Sequence, residues 1–274
     1  MKDAILSLFE SKPSTYENSA FQILEEFLTA LNKGTIRACK PTDGDWVVHE
    51  WVKKGILLAF RMGVLIEMPA WDGKKFFDKH TLPERRFELC DRLRIVPGGT
   101  SVRSGAYLAP GVAVMPPAFI NVGAYVDSDT LVDSHALVGS CAQIGKRVHL
   151  SAGAMIGGVL EPVGMRPVVI EDDVFVGGNT GIYEGIIVKS KAVLASGTII
   201  TSSTPIFDAV NSRYLDKDPG ASYTIPSGAV LVPGSRPLKQ HPGFSVYCPI
   251  IIKYRDDKTD LSVQLEADLR DQTD

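Results

Sequence analysis

Apolar residues recur at every sixth position from Val102 through Leu108, Val114, Ile120, Val126, Val132, Val138, Ile144, Leu150 and Ile156. A period of six fits neither the 3.6 of a helix nor plain two-residue alternation. It suits short strands joined by tight turns into a three-walled prism, three hexads to a coil. The register returns at Ile170, Val176, Ile182, Val188, Leu194 and Ile200, and again at Ile225 and Leu231. Four residues after each apolar site the side chain is usually small or β-branched, as at Ala106, Val112, Ala118, Ala124, Thr130 and Ala136, which is what converging walls require. The phased hexads predict about six coils, stacked at the roughly 4.8 Å strand spacing into a column about 29 Å tall. Sandwich strands vary in length and do not hold one phase over so long a stretch. Glycine often follows the apolar site, at Gly139, Gly145, Gly157 and Gly177, where a turn needing φ > 0 is expected.

The column occupies residues 96–236, with two proline-bearing interruptions at 157–169 and 201–224 that are expected to loop out of the wall. Long ordered loops on a rigid scaffold are where function usually resides. Residues 1–95 read as a small α+β domain: Ile23, Leu24, Phe27, Leu28 and Leu31 share one helical face that Gly34 ends, a strand follows at Trp46-Val47-Val48, and a second apolar helix runs from Val52 to Phe60. Residues 237–274 form an extension in which Phe244–Tyr247 and Ile250–Lys253 read as a strand pair and the charged tail from Arg255 as a solvated helix. Both flanks are natural covers for the open strand edges of a solenoid.

A formal charge of −3 gives no overall basic field, so nucleic acid is excluded as a partner and any anionic ligand must be met by local charge. Cys39, Cys90, Cys141 and Cys248 form no C-x-x-C pair, which speaks against a zinc site or a disulfide framework and for a reducing, cytoplasmic setting. No stretch approaches the roughly 20 apolar residues of a membrane span, so no membrane association is expected.

Neither a phosphate-binding G-x-x-x-x-G-K-[ST] loop nor a G-x-S-x-G nucleophile elbow is present. Acyl transfer asks for less: a neutral amine or hydroxyl, a base for its proton, and donors for a thioester oxyanion, which turn amides can supply. The densest group of candidates runs from Asn121 to His135, with Asp133 and His135 both off the inward positions Val132 and Ala136. An Asp at such a corner serves either as a turn cap or as a catalytic carboxylate, and the residues alone leave both open.

I-N-V-G-A-Y-V-D at 120–127, V-G-S-C-A-Q-I-G-K-R-V-H-L-S at 138–151 and I-G-G-V-L-E-P at 156–162 closely resemble the tetrahydrodipicolinate N-succinyltransferase family of hexapeptide-repeat acyltransferases. The likeness extends from about Trp46 to Lys253 and includes R-I-V-P at 94–97 and V-P-G-S-R at 232–236. It implies a left-handed parallel β-helix; handedness comes from the resemblance alone, since parallel crossovers are normally right-handed. It further implies a homotrimer with clefts between columns, succinyl-CoA as co-substrate, no metal, and transfer of succinyl to the amine of ring-opened tetrahydrodipicolinate in lysine and diaminopimelate synthesis.

By motif, the resemblance places a substrate-binding arginine at Arg94, suited to gripping a carboxylate, and the active-site aspartate at Asp133. One departure stands out: where the family often reads F-I-G-A-R-S-E, this chain reads F-V-G-G-N-T-G, so Gly181 occupies a carboxylate position. Glu184 is the nearest remaining carboxylate, as catalyst or as turn acid; His135 is a base or a packing residue, and His149 reads as structural. Ser235, Arg236, Lys239 and Lys253 are candidates for the CoA phosphates, each lysine also readable as solvated surface. The rivals are an acetyl-CoA-dependent enzyme on the same acceptor, a γ-carbonic-anhydrase-like column, which would need three zinc-binding histidines where the repeat holds only His135 and His149, and a structural or ice-binding column, which would want regular threonine ladders.

Overall fold

Each hexad becomes a two-residue strand and a four-residue turn. In the computed structural model, which describes residues 1–42, 45–68, 75–218, 222–241 and 243–255, these strands stack in parallel into the three walls of a left-handed β-helix. The first wall runs from Tyr107–Leu108 to Thr224–Ile225, the second begins at Arg94–Ile95 and the third runs from Ser101–Val102 to Ile199–Ile200. All the inward-facing residues of the three phased runs are buried, none more than 3% exposed. Ile206, six residues after Ile200, is also fully buried, so the second interruption keeps the core phase for one further step before leaving the wall.

Left-handed backbone falls elsewhere than the glycine pattern predicted. It sits at the third residue of a turn, as at Asp129, His135, Cys141 and Arg147, with φ of 59, 61, 67 and 52°. The glycines after the apolar site answer a different need: a Cβ on Gly139 would lie 2.2 Å from the amide nitrogen of Gly158, and one on Gly177 would lie 2.5 Å from that of Ser196. Contacts so short have no room for a side chain, so glycine is required there by the rise between coils.

The flanks cover the column. Helices α1 (Lys2–Ser11), α2 (Asn18–Asn32) and α3 (Glu50–Met62) pack Phe27, Leu28, Ile56 and Leu58 into a second core that reaches Val122 and Cys141 on the column. Asn32 fixes α2 to the first coil, accepting from the amide of Gly105 at 2.8 Å and donating to the Ser104 hydroxyl at 3.2 Å. The strand Trp46–Val48 forms as expected and pairs with Cys39–Pro41. The two C-terminal strands form but do not pair with each other. Ile250–Tyr254 runs antiparallel to Ala229–Val232, and Ser245–Tyr247 pairs with Ser235–Pro237. Only Cys248 and Pro249 separate them, and Pro249 has no N–H and a fixed φ, while the open edge at Ala229–Val232 needs a partner. The expected helix beyond Arg255 lies outside the described residues.

Candidate functional site

Both interruptions leave the column at the same corner, between the third and first walls, and they flank the turn that carries Glu184. The first connects Met155–Ile156 to Val169–Ile170, the second Ile199–Ile200 to Thr224–Ile225, and the turn after Gly181–Ile182 lies on the coil between them. Arg166, in the first loop, donates from Nε to the Gly185 carbonyl at 2.9 Å and pairs with Asp218 of the second loop at 2.8 Å. The same Asp218 oxygen accepts from the Thr224 hydroxyl at 2.7 Å, and the Ser222 hydroxyl donates to the Glu184 carbonyl at 2.9 Å. Arg166 and Asp218 are 52 positions apart, and no spacing rule announces them.

Between these loops lies a cleft of about 440 Å³ whose lining includes Leu137, Gly157, Glu161, Met165, Tyr183 and Glu184. Glu184 faces solvent but its carboxylate is engaged: one oxygen accepts from the backbone amide and the hydroxyl of Ser202. These two bonds hold its carboxyl below the usual range, so it is a weaker base than an unpaired glutamate.

Asp133 lies at the opposite edge of the third wall, at the corner where the second wall ends. One carboxylate oxygen accepts from the Ser134 amide at 2.7 Å, the aspartate-turn geometry that its position suggested. Its other oxygen has no partner among the described residues. His135 follows in left-handed conformation with its ring exposed. Arg94 is exposed on the second wall and, through Ala113, stands in register with Leu131, two residues before Asp133. Two strand spacings, roughly 10 Å, therefore separate the Arg94 row from the Asp133 row. Arg94, Asp133 and His135 share one side of the molecule, whereas Glu184 is across the wall from them.

The CoA candidates divide into two groups. Ser235 and Arg236 lie on the hairpin with Ser245–Tyr247, and Lys239 is exposed in its connection. The Nε of Arg236 is buried there without a hydrogen-bond partner among the described residues. The hairpin is pinned to the column where the Tyr247 hydroxyl accepts the Ile199 amide at 2.7 Å. Lys253 is not brought to it: it pairs with Val230, towards the far end of the last strand. His149 stacks on Phe175 with ring centroids 4.8 Å apart, a packing role. No group of three His, Cys, Asp or Glu among the described residues is placed to hold a metal ion.

A second cavity, about 420 Å³, sits at the corner between the first and second walls under the segment carrying Arg37 and Trp46. Glu171 organises it, accepting from Lys189 at 2.9 Å, from the Trp46 indole at 3.1 Å, and from the Ser190 amide and hydroxyl, each at 3.0 Å. Burial pushes the Glu171 carboxyl up, but these donors more than reverse this and hold it below its ordinary value.

Residues 1–62 match the family model described as tetrahydrodipicolinate N-succinyltransferase N-terminal, and residues 167–202 match that of the hexapeptide repeat of succinyl-transferase. The chain is 41% identical over 281 residues to the 2,3,4,5-tetrahydropyridine-2,6-dicarboxylate N-succinyltransferase of Blochmanniella pennsylvanica, covering 99% of this chain and 98% of that one. Enzymes of the same name from Granulibacter bethesdensis and Thioalkalivibrio sulfidiphilus are each 42% identical, over 98% and 99% of this chain and 98% of each relative. With such identity sustained along its length, the chain belongs to the 2,3,4,5-tetrahydropyridine-2,6-dicarboxylate N-succinyltransferase family.

Proposed function

We propose that the chain transfers a succinyl group from succinyl-CoA to the amine of ring-opened tetrahydrodipicolinate, 2-amino-6-oxopimelate, a step of lysine and diaminopimelate synthesis. The carrying observation is the match of more than 40% identity along essentially the whole length of relatives that bear this name. The amine attacks the thioester carbonyl, forming the N–C bond; the C–S bond then breaks, and the proton lost from nitrogen ends on the departing CoA thiolate. Asp133 fits the role of orienting the amine and accepting its proton, because one oxygen is fixed by the Ser134 amide while the other is uncommitted. His135 is the alternative proton acceptor at the same corner. Arg94 is suited to a substrate carboxylate, and Ser235, Arg236 and Lys239 to phosphates of CoA, with Lys253 a separate cationic contact. Glu184 is assigned to loop positioning ahead of proton transfer.

Asp133 and the Glu184 turn lie at opposite edges of one wall, so a reaction centre that uses both corners is completed by a neighbouring copy. That supports a homotrimer in which the Asp133 edge of one chain faces the Glu184 edge of the next. A cytoplasmic location fits the four unpaired cysteines, and among the described residues no helix is long and apolar enough to cross a membrane.

The test is thiol release from succinyl-CoA with and without tetrahydrodipicolinate, with acetyl-CoA in parallel. Acceptor-dependent release with a preference for succinyl-CoA is expected; preference for acetyl-CoA would replace the donor assignment, and release with neither would remove the activity.

A further inference from the structure

From Phe119 onward, the outward row of the third wall reads Phe119, Leu137, Met155, Gly181 and Ile199, each in register with the next. Four of these are large and apolar; the fifth has no side chain. The gap is filled by Tyr183, which follows Gly181 by two residues and so projects from the same face of the chain. A Cβ built on Gly181 would lie 2.5 Å from Cε2 of Tyr183 and 2.8 Å from its hydroxyl oxygen, and a Cβ on Gly157 would lie 2.7 Å from Cδ1. The ring therefore lies across two glycines on adjacent coils, and any larger residue at 157 or 181 would force it off the wall. Its hydroxyl sits over Gly181 and has no hydrogen-bond partner among the described residues, while the ring lines the 440 Å³ cleft beside Glu184.

A phenol laid over two glycines is held in one orientation by packing, and its half-exposed O–H is available to a ligand oxygen in place of water. Glu184, its neighbour in sequence, is occupied with Ser202. We propose that Tyr183 is a substrate-contacting residue whose hydroxyl donates a hydrogen bond to an oxygen of the bound acyl donor or acceptor, filling with a neutral donor the place on the wall where Gly181 carries nothing. The inference rests on the acyl-transfer reading and adds a residue to it. A phenol O–H acts here as a hydrogen-bond donor, so its contribution is to hold or polarise an oxygen, and proton removal stays with the Asp133 corner.

The experiment compares wild type, Tyr183→Phe, Gly181→Ala and the double variant in the thiol-release assay, with thermal unfolding alongside. Tyr183→Phe keeps the ring and removes only the hydroxyl: kcat/KM is expected to fall about tenfold or more with unfolding unchanged, because one hydrogen bond to a substrate oxygen is lost. Gly181→Ala displaces the ring and should cost a similar factor in wild type but little further in the Tyr183→Phe background. An active wild type with Tyr183→Phe within twofold of it overturns the role of Tyr183 alone. A loss matched by a fall in unfolding temperature, or Gly181→Ala costing equally in both backgrounds, makes the tyrosine structural and overturns the proposal as well. A wild type inactive with succinyl-CoA and with acetyl-CoA removes the functional reading and this proposal together.

Discussion

Glu184 accepts both the backbone amide and the hydroxyl of Ser202, at 2.8 and 2.5 Å, and thereby ties the turn between the two loops to the start of the second loop. The carboxylate that sequence spacing offered as a catalyst is engaged in holding a loop.

The loop clamp is directly testable. Ser202→Ala removes one donor to Glu184, and Arg166→Ala removes the bridge to Asp218 and the Gly185 carbonyl. Both variants are expected to unfold within a few degrees of wild type, since the column core is untouched, but to be cut faster by protease within 201–223. Unchanged cleavage rates would show that other contacts hold the loop.

Asp133→Asn retains an amide oxygen able to accept from Ser134, so the turn and the oligomer should survive. The side chain can no longer accept a proton, and turnover with succinyl-CoA is expected to fall by about 10²- to 10⁴-fold. Near-normal turnover would remove Asp133 from the mechanism.

Glu171 gives a pH signature. Its carboxyl is held below its ordinary value in the folded state, so its contribution is fully present above the unfolded carboxylate pKa, about 4.3, and is lost as pH falls through the lower folded value. Wild type should therefore be more stable than Glu171→Gln at pH 7, and the gap should narrow as urea unfolding is repeated at lower pH below about 4.3. A gap independent of pH would mean that Glu171 acts through packing and not through charge.

The column core should be costly to hollow. Leu150 is fully buried in the second wall, and Leu150→Ala is expected to cost about 2–5 kcal/mol, read from the urea midpoint. A loss under about 1 kcal/mol would mean that adjacent coils collapse into the space.

Thiol labelling separates the cysteines. Burial pushes the Cys39 thiol up to about 11 and the Cys141 thiol up to about 12, and Cys248 is also buried and raised, whereas Cys90 is exposed. One fast-reacting thiol per folded chain is expected with a disulfide reagent at pH 8, and Cys90→Ser should abolish it.

The sequence by itself determined the column. A six-residue period carried by Val102 through Ile156 specifies inward positions, wall number and coil height, because a side chain whose burial repeats along the chain writes that repeat into composition. It also marked where the wall is interrupted, and its words at 94–97 and 138–162 pointed to the family. The tertiary structure decided what depends on contacts between coils. It showed that Gly139 and Gly177 are required by the close approach of the next coil and not by positive φ, and that Ser245–Tyr247 and Ile250–Tyr254 take different partners because separate edges needed covering. It placed both loops at one corner, bridged by Arg166 and Asp218, and turned Tyr183 onto Gly181. Each of these relations joins residues whose separation in sequence carries no periodic signal, or depends on the room left by a neighbour, and only the stacking of one coil on another fixes that room.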